Sequence, residues 1–187
     1  MKFILGKKLG MTTIFDEDGA QNVTLVECDP NKVSLTRKEE KDGYSAVQLS
    51  LQKTKKREAK KEFRVLDEKE MTLKEGDLVD VSIFEVGERV KISGVSKAKG
   101  FQGVVKRHGF KGSPATHGHK HDLRAPGSIG SGFPEHVRKG KRMAGRMGGE
   151  RSTVTNVKII SIDKEKNIIA LGGAVPGIPG GIIEIHN

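Results

Sequence analysis

Short runs in which apolar and polar residues alternate dominate both ends of this chain, and each run is closed by a turn signal. Phe3-Ile4-Leu5 and Met11 to Phe15 predict two strands, followed by a turn at Asp16-Glu17-Asp18-Gly19. Asn22 to Cys28 alternates until Asp29-Pro30-Asn31 breaks it. Lys32 to Thr36 and Tyr44 to Leu51 predict two more strands, and Phe63 to Leu66 returns to the sheet. Lys74-Glu75-Gly76-Asp77 reads as a tight turn opening a strand from Leu78 to Phe84, with Val79, Val81 and Ile83 on one side. Gly87-Glu88-Arg89 turns into Val90-Lys91-Ile92. Near the end, Thr153 to Ile162, Ile168 to Leu171 and Ile182 to Ile185 are apolar-rich strands, the first two separated by a turn at Asp163 to Asn167. Short strands at this spacing predict a mainly β protein, an antiparallel sandwich or barrel.

The pattern fails between residues 94 and 152. Glycines at 94, 100, 103, 109, 112 and 118 recur irregularly among Lys, Arg and His, and no apolar period of 2 or 3.6 emerges. The apolar residues after 152 need a partner sheet that only the first ninety residues can supply. The expected organisation is therefore a β-barrel domain from 1–93 and 153–187, with 94–152 inserted as an extended arm.

Charge sharpens that division. The chain of 187 residues has 34 Lys and Arg against 24 Asp and Glu, a net charge of +10 and a pI near 9.7. Fourteen of the basic residues and three of the acids lie in 91–152, leaving 20 and 21 elsewhere, so the excess belongs to the insertion. A segment so basic and glycine-rich cannot close a core of its own and needs a polyanion to fold against. RNA is the partner its chemistry fits. Free of RNA the arm is expected to be disordered, because ordering it costs about 1–2 kcal/mol per residue of backbone entropy with little burial in return.

The candidate RNA-binding residues follow from their chemistry. Lys97, Lys99, Lys106 and Arg107 suit backbone phosphates, as do Lys111, Lys120, Arg124 and Arg151. Arg138-Lys139-Gly140-Lys141-Arg142 is the densest cluster, with Arg146 beyond it; Arg adds bidentate phosphate contact and stacking on a base plane. His108, His117, His119 and His121 can stack on bases or hydrogen-bond to phosphate and ribose. The alternation of the last three also admits a metal, since alternate positions on a strand share a face, but Lys120 lies among them and no Cys is near. If six to ten of these cations meet phosphates, affinity falls roughly 10³–10⁵-fold between 50 and 200 mM salt.

Other chemistry is weaker. Gly94 to Gly100 lacks the spacing of a phosphate-binding P-loop, and no Ser or Thr follows a Gly-Lys pair. The charge run from Lys53 to Lys61 reads as a solvated loop or helical turn, or as an auxiliary phosphate patch. Cys28, the one cysteine, precludes an internal disulfide and reads as a small core residue. No apolar run approaches the roughly 20 residues that span a bilayer, and the apolar start is too short for a signal peptide. A cytoplasmic location without membrane, cofactor or small-molecule substrate is expected.

Five separated stretches carry a resemblance over essentially the full length: ILGKKLGMTTIFDEDG, VSKAKGFQGVVKRHGFKGSPATHGHKH, RAPGSIGS, GKRMAGRMGGER and GAVPGIPGG. In that order they resemble the bacterial large-subunit ribosomal protein L3 family. The resemblance implies a six-stranded antiparallel Greek-key barrel similar to those of translation factors, carrying a long, basic, largely irregular insertion. It implies a non-enzymatic protein of the ribosome that binds large-subunit rRNA, lies beside neighbouring large-subunit proteins and nucleates assembly, with its arm approaching the peptidyl-transferase centre. Two positions depart from the family: Ala98 stands where members often have Gly, and Arg146 where some carry a methylated glutamine.

Overall fold

The computed structural model describes residues 2–16, 19–54, 57–65 and 73–187. The turn residues Glu17 and Asp18, Lys55 and Lys56 of the charge run, and Leu66 lie outside them. In chain order the strands and helices are β1 (Phe3–Asp16), β2 (Gly19–Glu27), β3 (Asn31–Arg37), α1 (Glu39–Asp42), β4 (Ala46–Thr54), β5 (Arg57–Arg64), β6 (Leu78–Val79), β7 (Arg89–Val95), β8 (Phe101–Gln102), α2 (Val104–His108), β9 (Gly145–Arg146), β10 (Arg151–Asp163), β11 (Ile168–Gly172) and β12 (Ile182–His186). The protein is mainly β and its paired strands are antiparallel.

Six strands close a barrel in the order β1-β12-β7-β10-β11-β2. Its interior is built from inward-facing apolar residues that alternate with outward ones: Ile4, Val26, Ile92, Ile159, Ile169, Leu171, Ile183 and Ile185 are buried in one cluster with Cys28. The Cys28 thiol is fully enclosed, and burial, reinforced by Asp29 and Glu27, pushes its pKa far above the usual thiol range. It is a core side chain and not a nucleophile.

The strands before residue ninety do not all enter this barrel. β3 to β6 form a separate four-stranded sheet in the order β5-β4-β3-β6. The reason is visible in β1, where three apolar residues run consecutively. Ile4 points into the barrel, while Phe3 and Leu5 join Val33, Val47, Leu49, Phe63 and Val79 in a second core. A strand covered on both faces reads as a continuous apolar run, not as an alternating one. Phe3 and Phe63 stack there with ring centroids 4.7 Å apart.

Two local readings change. The described part of the charge run from Lys53 to Lys61 is mostly strand and not loop: β5 is the edge of the second sheet, paired with β4 from Ala46↔Arg64 to Thr54↔Arg57. Its charges face solvent while Phe63 anchors it, and charged side chains are what keeps an edge strand from pairing further. The strand expected over Leu78 to Phe84 stops at Val79; Val81–Ile83 forms a 3-10 turn closed by the Phe84 N–H on the Val81 carbonyl at 3.2 Å. Val81 and Phe84 thereby reach the barrel core.

The chain divides into two compact units, one running to Ser96 and resuming at Arg151–Asn187, the other Lys97–Glu150. β7 and β10 are paired neighbours with Val95 opposite Arg151. The first unit therefore releases and recovers the chain at adjacent positions.

Candidate nucleic-acid interface

The Lys97–Glu150 unit holds twelve Lys and Arg against Asp122, Glu135 and Glu150. Among its 54 residues only Val104 is buried. What order it has comes from backbone hydrogen bonds and turns. β8 pairs with β9, Phe101 opposite Arg146 and Gln102 opposite Gly145. The ladder is extended by the Lys99 N–H on the Met147 carbonyl and the Met147 N–H on the Gly100 carbonyl, both at 2.9 Å. Gly148 has φ of 71° and passes so close to the Lys97 carbonyl that a Cβ there would collide with it.

Between these legs sits α2, one turn of helix. Gly103 opens it in an extended conformation, and Gly109, at φ 72°, closes it with its N–H on the Val104 and Val105 carbonyls. Lys106, Arg107 and His108 occupy its last turn, where the helix dipole favours cations. Arg107 Nη1 donates to the Met143 carbonyl at 2.8 Å, and His108 Nε2 lies 3.0 Å from the same oxygen, so the ring nitrogen that faces it must carry a proton. The Arg107 guanidinium also lies over Gly145, leaving 2.6 Å between Nη1 and the place of a Cβ. These two candidates therefore tie the outgoing and returning segments together, and both remain half-exposed.

The other candidates are exposed. Lys97 and Lys99 precede β8, Lys111 follows α2, and Arg124 leaves the turn begun by Asp122. Arg138, Lys139, Lys141 and Arg142 project from a turn closed by the Lys141 N–H on the Arg138 carbonyl at 3.3 Å, and Arg146 lies in β9. Arg151 belongs to the barrel and is paired with the Glu184 carboxylate, which also accepts Lys61 at 3.1 Å. A residue of the charge run thus has a structural partner, which the sequence alone gave no means to pair.

His117 and His121 lie in turns and His119 between them, none of the three on a strand, with His117 at φ 61°. Their alternation therefore does not give them a common face. Among the described residues no three His, Cys, Asp or Glu side chains converge as metal ligands. Sequence reasoning also missed a juxtaposition: Lys111 and His119 meet Phe110 and Asp122 around one concavity. Residues eight to twelve apart in an aperiodic segment carry no sequence signal of such proximity.

The fold is thus a closed barrel of balanced charge, interrupted between two paired strands by a basic unit with one buried side chain. A family model described as Ribosomal protein L3 matches residues 64–174. Curated relatives named "Large ribosomal subunit protein uL3" align over nearly the whole chain. That of Thioalkalivibrio sulfidiphilus is 43% identical, covering 98% of this chain and 95% of the relative. That of Dehalococcoides mccartyi is 47% identical over 97% and 96%, and that of Herpetosiphon aurantiacus 45% over 97% and 94%. The chain belongs to the ribosomal protein L3 family, a family of structural proteins and not of enzymes.

Proposed function

We propose that this protein is a structural constituent of the large ribosomal subunit that binds large-subunit rRNA directly through residues 97–150. On this reading the six-stranded barrel is a Greek-key barrel similar to those of translation factors. It holds the ends of the arm beside neighbouring ribosomal proteins. The protein enters early and nucleates assembly, and the tip of the arm approaches the peptidyl-transferase centre. It resides in the ribosome of the bacterial cytoplasm.

The observation that carries the proposal is the contrast within the arm: twelve basic residues, nearly all exposed, and one buried apolar side chain. A peptide of that build gains little from folding on itself and much from neutralising packed phosphates. Relatives whose names place them in the large subunit support the choice of rRNA as the polyanion. A protein that binds RNA transiently through its barrel would not depend on the arm.

The test is the salt dependence of binding to large-subunit rRNA. Replacing Arg138, Lys139, Lys141 and Arg142 by Gln is expected to lower the slope of log K against log salt by about three to four, because each phosphate contact contributes roughly one. An unchanged slope would remove this cluster from the interface.

A further inference from the structure

We infer that the concavity lined by Phe110, Lys111, Ser113, His119, Asp122 and Pro126 is a binding site for one unstacked guanine of single-stranded RNA; the inference rests on the RNA-binding reading of the arm. The concavity is open to solvent and has a volume of about 450 Å³, within the range of small-ligand sites. Backbone contacts fix its two walls against each other. The Ser113 N–H of one wall donates to the Leu123 carbonyl of the other at 3.2 Å, and the second wall is itself turned by the Ala125 N–H on the Asp122 carbonyl at 3.1 Å. Gly112, at φ 71°, allows the first wall to approach the second: a Cβ there would stand 2.5 Å from the Leu123 oxygen.

The chemistry of the lining selects the occupant. Phe110 is half-buried beside His108, ring centroids 6.0 Å apart, and offers a stacking surface. Asp122 is the informative residue. Among the described residues its carboxylate has no ion-pair or hydrogen-bond partner, in a unit with four times as many cations as acids. A carboxylate repels phosphate, so it does not serve the backbone. It accepts two parallel hydrogen bonds, and among the bases guanine alone presents two adjacent N–H donors, N1–H and the 2-amino group. Adenine and cytosine present an amino group beside an acceptor nitrogen, and uracil one N–H between two carbonyls, so each sets an acceptor against the second oxygen. Lys111 and His119 then supply donors for O6 and N7 or for the flanking phosphate.

The experiment measures binding of the full chain to fluorescent oligouridylate heptamers carrying a central guanine, adenine, cytosine or inosine at about 50 mM salt. Guanine is expected to bind about tenfold tighter than adenine or cytosine, the effect of one good bidentate pair. Inosine, which keeps N1–H and lacks the amino group, falls between. Asp122→Asn and Asp122→Ala are expected to bind all four alike while keeping or slightly raising affinity for plain oligouridylate. Absence of a guanine preference in the unmodified protein, or its survival in Asp122→Ala, overturns the inference and leaves the RNA-binding reading in place. Failure to bind any oligonucleotide overturns both. Loss of the preference on adding micromolar guanosine monophosphate would reassign the pocket to a free nucleotide and overturn the RNA assignment.

Discussion

Removing residues 98–148 is expected to leave a folded barrel that has lost at least about a thousandfold in affinity for large-subunit rRNA near 0.1 M salt. The deletion leaves Ser96, Lys97, Gly149 and Glu150 between Val95 and Arg151, which face each other across the β7–β10 ladder. A four-residue connection is an ordinary hairpin length. Neither hydrophobic cluster contains a residue of the deleted stretch, so thermal unfolding should remain cooperative. Eleven of the arm's twelve basic residues go with it, and with them most of the counterion release that drives binding. Filter binding on the folded deletion variant checks the outcome. Affinity within tenfold of the full chain would mean that the barrel, and not the arm, is the RNA-binding surface.

Replacing Asn31 by Ala is expected to destabilise the barrel by about 3–6 kcal/mol, a large part of the roughly 5–15 kcal/mol that holds a domain of this kind together. The β1–β2 ladder ends at Lys7 opposite Glu27, and the side chain of Asn31 continues it. Its Oδ1 accepts the Leu5 N–H at 3.1 Å, and its Nδ2 donates to the carbonyls of Leu5 at 2.9 Å and Asp29 at 2.8 Å. The residue is completely buried and its two bonds to Leu5 are buried with it, so water does not replace it there, and each orphaned backbone group costs about 1–3 kcal/mol. Asn31→Asp should fail as well, since a carboxylate cannot donate to either carbonyl. Urea unfolding measures the effect; a loss under 1 kcal/mol would show that the strands rearrange to pair these groups otherwise.

Asn31 also marks where the sequence stops being informative. Asp29-Pro30-Asn31 reads as a break between strands, and it is one, but nothing in the triplet says that its last side chain completes a ladder with a residue 26 positions earlier. Alternation along β2 and β7 was legible because one face of each is inside the barrel, and β11 and β12 were legible as short apolar runs bounded by turns. β5 was legible only from Phe63 on, because the rest of this edge strand is a charge run with no apolar anchor and so resembles a loop. In the arm, charge and glycine content marked off the segment that forms the second unit, whereas the Arg107–Met143 tie and the Phe110–Asp122 concavity depend on turns that bring distant residues together. The histidine run shows a limit of such patterns: alternation implies a shared face only on a strand, and none of His117, His119 and His121 lies on one.

Hydrogen exchange on the full chain, free and bound to large-subunit rRNA, tests most directly whether RNA is what gives the arm its shape. In the free protein, amides of residues 98–148 outside the β8–β9 ladder, α2 and the Ser113 and Ala125 hydrogen bonds should exchange rapidly while the strands of the barrel stay protected. Addition of rRNA should slow exchange across the arm and leave the barrel unchanged. Protection of the free arm equal to that of the barrel strands, with no gain on binding, would contradict the account.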